Sequence, residues 1–135
     1  MASQYWASVI TLLTLVVLIW VMFIVGRYRT KYNVKAPATI GDPHFELAFR
    51  VQMNTIESAF LFLPALWMSA RWGSSLSVEL AGATWIIGRI IYALAYLKDP
   101  AKRSAGFGIA FLAIVVLMID AALGLFRALG AVTSL

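Results

Sequence analysis

The sequence predicts an all-α membrane protein built as a four-transmembrane-helix bundle, and three observations carry that expectation. Hydrophobic residues make up 62% of the 135-residue chain and charged residues only 13%, far from the composition of soluble globular domains. The apolar residues come in runs long enough to cross a bilayer, which takes about 20 residues per crossing. Proline, glycine and clustered basic residues separate those runs. Four crossings use up the length, so residues 1–135 are expected to form a single membrane domain.

The first element is expected at about residues 5–28. An uncharged run from Met1 to Gly26 meets Arg27, Arg29, Lys31 and Lys35. A secretory signal peptide carries its positive charge before the apolar stretch, and Met1-Ala2-Ser3-Gln4 has no basic side chain, so a retained helix is expected. Pro37, Gly41 and Pro43 punctuate a polar connection, after which a second helix is expected at about 44–71. Pro64 falls inside it and removes a hydrogen bond to the Phe60 carbonyl, which predicts a bend. A third helix is expected at about 76–97 and a fourth at about 103–129, joined by Lys98-Asp99-Pro100-Ala101-Lys102. The small residues Gly82, Ala83, Gly88, Gly106, Gly108 and Gly124 would let helices approach closely.

Several functions are excluded at this level. The chain has no cysteine, so it has neither disulfides nor a nucleophilic thiol of its own, and sulfur chemistry would require a bound thiol. The one histidine, His44, belongs to no cluster with metal-ligand spacing, and no metal is expected. The net charge of +5 sits beside apolar segments rather than in a soluble basic patch, so no nucleic-acid partner is expected. The bases report topology instead. Arg27, Arg29, Lys31, Lys35, Lys98, Lys102 and Arg103 fall in two connections at one end, against Arg71 and Arg127 at the other. Loops rich in Lys and Arg stay cytosolic, which puts both termini on the opposite side.

The informative segment is Phe45–Glu57. Glu46, Arg50, Asn54 and Glu57 are spaced by four, four and three residues, which keeps them within about a quarter-turn of one helix face. A charge at mid-membrane depth costs about 2.5–3.5 kcal/mol, so such a stripe must face protein or a wet cavity, and it is a binding site by default. A buried network fixing helix register is the plainer explanation. Register needs only one or two polar groups, however, and this helix adds Gln52 off the stripe, where a neighbouring subunit could use it. On the third helix, Arg89, Tyr92 and Tyr96 share a face at spacings of three and four. Tyr96 by itself also fits an interface belt. Arg89 lies too deep to snorkel and calls for a carboxylate, with Glu46 or Glu57 as the supply. Arg103 and Arg29 each also fit a plain topology charge. Asp120, near the other end, is expected to pair with Arg71, Arg127 or a polar group there.

Together, Phe-Glu-x-x-x-Arg-x-Gln-x-Asn-x-x-Glu (Phe45 to Glu57), Arg89-x-x-Tyr92-x-x-x-Tyr96 and the following Arg103 resemble the MAPEG family, the membrane-associated proteins in eicosanoid and glutathione metabolism. The resemblance extends over essentially the whole chain, including the Gly41-Asp42-Pro43 turn. It implies a homotrimer of four-helix subunits with glutathione held between neighbours near the cytosolic face. It also implies that Arg29, Arg50, Gln52, Asn54, Glu57, Tyr92 and Tyr96 bind the tripeptide and that Arg103 activates its thiol. Two positions depart from the leukotriene-synthase pattern: Ser58 stands where that pattern has a tyrosine, and Thr30 where it has a second arginine. Arg103-Ser104 is similar to the prostaglandin-synthase branch.

The residue chemistry agrees with this implication. Glutathione carries two carboxylates and an ammonium, which call for guanidinium forks and a carboxylate. A free thiol, with a pKa near 8.5, is only a few per cent ionised at neutral pH, and Arg103 is the expected stabiliser of the thiolate. The expected activity is a membrane-bound glutathione transferase, with a glutathione peroxidase of the same family as an alternative. It would act on a lipophilic small molecule that arrives from the lipid. A glutathione-dependent isomerase and a noncatalytic lipid-binding protein remain as alternatives.

Overall fold

The computed structural model describes residues 1–133. Four α-helices follow in order: α1 (Ala2–Lys31), α2 (Pro43–Trp72), α3 (Ser75–Lys98) and α4 (Ser104–Thr133), with a 3-10 turn at Pro100–Arg103 before the last. Each α-helix continues past its expected C-terminal limit. The fourth begins at Ser104 rather than Arg103, because Pro100 and the Asp99 cap build a separate turn: the Asp99 carboxylate accepts from the Ala101 N–H at 3.0 Å.

Local chemistry sets the ends. α1 stops where Asn33 takes a positive φ of 54° and the Val34 N–H donates back to the Arg29 carbonyl at 3.0 Å, a closure that satisfies an otherwise orphaned carbonyl. α2 starts at Asp42, whose carboxylate accepts from the His44 N–H at 2.8 Å, with Pro43 in the first helical position. Loss of solvent at the cap raises the Asp42 pKa, but the backbone N–H and ring of His44 outweigh it and hold the carboxyl below its usual range. α2 runs on through Pro64.

α1 and α4 each pack on both α2 and α3, so α2 and α3 form the central pair with α1 and α4 on opposite flanks. The core is Phe45, Phe62, Leu66, Trp85 and Leu117 with smaller residues, and Phe62 and Trp85 stack at 4.2 Å. Glycines set the closest crossings. A Cβ on Gly106 would collide with the Tyr92 backbone, and one on Gly88 would lie 2.8 Å from the Ala110 nitrogen, so α3 and α4 touch backbone to backbone there. Gly82 lies against Ile10, and Gly124 against the Trp72 carbonyl. Gly108 meets nothing within 4 Å and Ala83 is exposed; neither mediates packing within the chain.

Among the described residues, three segments are long and apolar enough to cross a membrane: α1, α3 and Pro100–Thr133. Exposed Leu, Ile, Val and Phe cover their outer faces. α2 has the length, at 30 residues, but its charged stripe keeps it out of that set. Asp120 is met by polar groups at its own end of the bundle: it accepts from Ser69 Oγ at 2.6 Å and from the Ser74 N–H at 3.0 Å. The C-terminus of α2, the start of α3 and α4 are thereby joined.

Candidate functional site

Between α2 and α4, at the end holding the basic connections, lies a cavity of about 550 Å³, within the range of about 300–1,000 Å³ usual for small-molecule sites. α2 contributes Arg50, Met53, Asn54 and Glu57, α3 contributes Tyr92 and Tyr96, and the turn and α4 contribute Arg103, Ser104 and Phe107. Six of the eight expected site residues therefore converge: Arg50, Asn54, Glu57, Tyr92, Tyr96 and Arg103. The stripe periodicity explains the α2 group. The Gly106–Tyr92 contact explains the rest, since it holds the start of α4, and Arg103 just before it, beside the α3 tyrosines.

The polar groups divide into those that are fixed and those that are free. Arg103 Nη1 donates to the Tyr96 hydroxyl at 3.2 Å. An arginine can only donate, so the tyrosine oxygen is the acceptor and its own proton is available to the cavity. Arg89, 1% exposed, donates through Nη2 to Asn54 Oδ1 at 3.1 Å and to Thr55 Oγ1 at 2.7 Å. By the same reasoning the Asn54 oxygen faces Arg89, and its NH₂ donors are left for the cavity. Arg50 and Glu57 are exposed and make no hydrogen bond or ion pair among the described residues. The cavity thus offers two guanidinium groups, one carboxylate, an amide donor and a phenol donor.

The carboxylate partner expected for Arg89 is not there. Its acceptors are the neutral Asn54 and Thr55, the guanidinium carbon lies 4.1 Å over the Tyr92 ring, and Nε and Nη1 are buried without an acceptor among the described residues. Neutral acceptors together with a π face replace the ion pair. Glu46, one proposed supplier, instead accepts from the Gly41 N–H at 3.0 Å and closes the turn before α2. Glu57 stays in the cavity.

Two expected site residues lie elsewhere. Arg29 is held by the connection after α1, donating to the Ala38 carbonyl at 2.8 Å with its guanidinium 4.6 Å over Phe45. Gln52 is half-buried and does not line this cavity. Met53, Ser104 and Phe107 were not anticipated as lining residues. For Phe107 a signal existed, since Arg103, Phe107 and Phe111 recur every four residues. A second cavity of about 280 Å³ continues along the same face, sharing Asn54, Glu57 and Phe107 and walled by Leu61, Phe111 and Ile114. Ser58 also lines it, with Oγ accepting from Trp85 Nε1 at 3.0 Å.

Among known proteins, the chain is 38% identical over 120 residues to an uncharacterized protein of Synechocystis, covering 89% of this chain and 88% of that one. It is 35% identical over 101 residues to microsomal glutathione S-transferase 2 of Homo sapiens, covering 75% and 69% of the two chains. It is 30% identical over 118 residues to leukotriene C4 synthase of Cavia porcellus, covering 87% and 79%. The profile of the MAPEG family matches residues 7–123, and with it the helices that build the cavity: this chain belongs to the MAPEG family.

Proposed function

We propose that this protein is a membrane-bound glutathione transferase that ionises the glutathione thiol in the α2/α4 cavity and delivers it to a lipophilic electrophile. The observation that carries this reading is the unpaired Arg50 and Glu57 on a cavity also lined by Arg103. Charges of both signs without partners match a zwitterion with two carboxylates better than any apolar ligand. The names of the relatives, a glutathione transferase and a leukotriene C4 synthase, support glutathione as cosubstrate.

Arg50 and the Asn54 amide would bind carboxylates, and Glu57 the ammonium. Arg103, and the Tyr96 proton that its hydrogen bond frees, would stabilise the thiolate, the thiol proton leaving to water at the open mouth. The thiolate sulfur then bonds to the electrophilic carbon, and the leaving group departs with its electron pair. The apolar continuation lined by Leu61, Phe111 and Ile114 suits a substrate that arrives from lipid, and holding both reactants together lowers the entropic part of the barrier.

Exposed charges on this face are costly against lipid, which favours an oligomer with α2 as a fourth span and the cavity covered by a neighbour, and the family resemblance makes that oligomer a homotrimer. In that assembly a neighbouring copy would contribute Gln52 and Arg29. The excess of Lys and Arg in the basic connections supports a site near the cytosolic face, with both termini on the other side. A second reading rests on Ser104 lining the cavity beside Arg103, the pair similar to the prostaglandin-synthase branch. Such an isomerase would use glutathione without net consumption. The test is conjugation of glutathione to an aryl halide by the detergent-purified protein. Saturable, enzyme-dependent thioether formation is expected; turnover of an endoperoxide with no loss of thiol would favour the isomerase.

A further inference from the structure

On the opposite face of the bundle, between α1 and α3, lies a larger cavity of about 710 Å³. Its mouth carries Arg27 and Lys31, one helical turn apart, and its walls are Trp20, Ile24, Leu94 and Leu97. It shares Trp20 with a further apolar pocket formed by Val16, Val17 and Ile90, so the groove runs on along α1. From Ile24 to Val16 is eight residues, about 12 Å at 1.5 Å each, close to one leaflet of a core about 30 Å thick. The groove is basic at the membrane surface and purely apolar below it.

Among the described residues, no acid lines this groove. Arg27 makes no hydrogen bond or ion pair among the described residues, and Lys31 lies 5.2 Å over the Tyr32 ring. The acids at this end are engaged elsewhere: Asp42 with His44, Glu46 with the Gly41 N–H, and Asp99 with Lys102 at 3.9 Å. A second copy in the same orientation has these same acids engaged at this depth and offers no free carboxylate to Arg27 and Lys31. An anionic amphiphile meets both requirements.

We propose that the α1/α3 groove seats an anionic diacyl glycerophospholipid, its phosphodiester between Arg27 and Lys31 and one acyl chain along Trp20, Ile24 and Ile90. The site is separate from the thiol cavity and would fill independently of it. The experiment is native mass spectrometry of the whole purified protein offered equal amounts of phosphatidylglycerol and phosphatidylcholine with identical chains. Retention of phosphatidylglycerol is expected. Each base near an anionic headgroup contributes about fivefold, so Arg27→Gln and Lys31→Gln should each cut the preference about fivefold, and the double variant about 25-fold. The single variants keep the test valid if the double variant fails to assemble. Excess deacylated glycerophosphoglycerol should not displace the lipid. The proposal is overturned if the preference survives the substitutions or if the free headgroup displaces the lipid. It is overturned equally if no lipid is retained while a cysteine at Ile24 cross-links two copies.

Discussion

On the proposed mechanism, replacing Arg103 with alanine should separate binding from chemistry. The Arg103 guanidinium sits at the open mouth of the cavity, exposed and held by the Tyr96 hydroxyl at 3.2 Å. A thiolate about 4 Å away gains about 1 kcal/mol in fully aqueous surroundings and about 4 kcal/mol at the effective dielectric of a protein surface. With its exposure, about 1–2 kcal/mol is the appropriate range, or about 0.7–1.5 pKa units at about 1.4 kcal/mol per unit. That lowers a thiol pKa of about 8.5 to about 7.0–7.8. At pH 7 the bound thiol would be about 15–50% ionised in the parent and about 3% in Arg103→Ala. The conjugation rate at saturating glutathione should therefore fall about 5- to 15-fold at pH 7. In its proposed role the arginine stabilises the deprotonated form, so its effect would be greatest below the unperturbed pKa and vanish above it. At pH 9 the two proteins should differ by less than about twofold. The assay is thiolate absorbance titrated against pH beside the conjugation rate. An unchanged titration and rate would remove Arg103 from the mechanism and leave the Tyr96 proton as the candidate.

Other consequences follow from packing and topology. Gly106→Leu should destabilise the protein by about 1–3 kcal/mol in thermal unfolding, because its side chain meets the Tyr92 backbone; Gly108→Leu, facing open space, should be near neutral. Asp120→Ala should cost about 1–3 kcal/mol by leaving Ser69 and the Ser74 N–H without their acceptor, with glutathione affinity unchanged. A cysteine at Thr30 should be labelled from the cytosolic side and one at Thr133 from the other, and reversed labelling would overturn the proposed orientation.

Much of the fold was legible because its signals are strong and local. Uncharged runs, the Pro37, Gly41 and Pro43 punctuation and the basic connections located all four helices, with Pro43 itself falling in the second helix rather than in the connection before it. The stripe on α2 and the Arg89–Tyr92–Tyr96 face supplied most of the cavity, since helical spacing fixes which residues share a face. What the sequence could not show depends on contacts between helices. A deep arginine normally asks for a carboxylate, yet Arg89 is met by Asn54, Thr55 and the Tyr92 ring. That arrangement exists only because α2 and α3 meet at those levels. Arg29 was expected in the site from the family resemblance; within the chain, the reversal at Asn33 brings the Ala38 carbonyl back to it. The α1/α3 groove depends on a relation between two helices far apart in sequence, and no spacing along the chain announces it.

The central claim, that the α2/α4 cavity binds glutathione through its unpaired charges, is tested most directly by isothermal titration of glutathione into the detergent-solubilised protein. The parent should bind saturably. Arg50→Ala and Glu57→Ala should each lose at least about 1.5–3 kcal/mol, the scale of a hydrogen bond to a charged group, with helix content and oligomeric mass unchanged. Parent-like affinity in both folded variants, or no binding by the parent, would contradict the account and make the α2 stripe a structural feature.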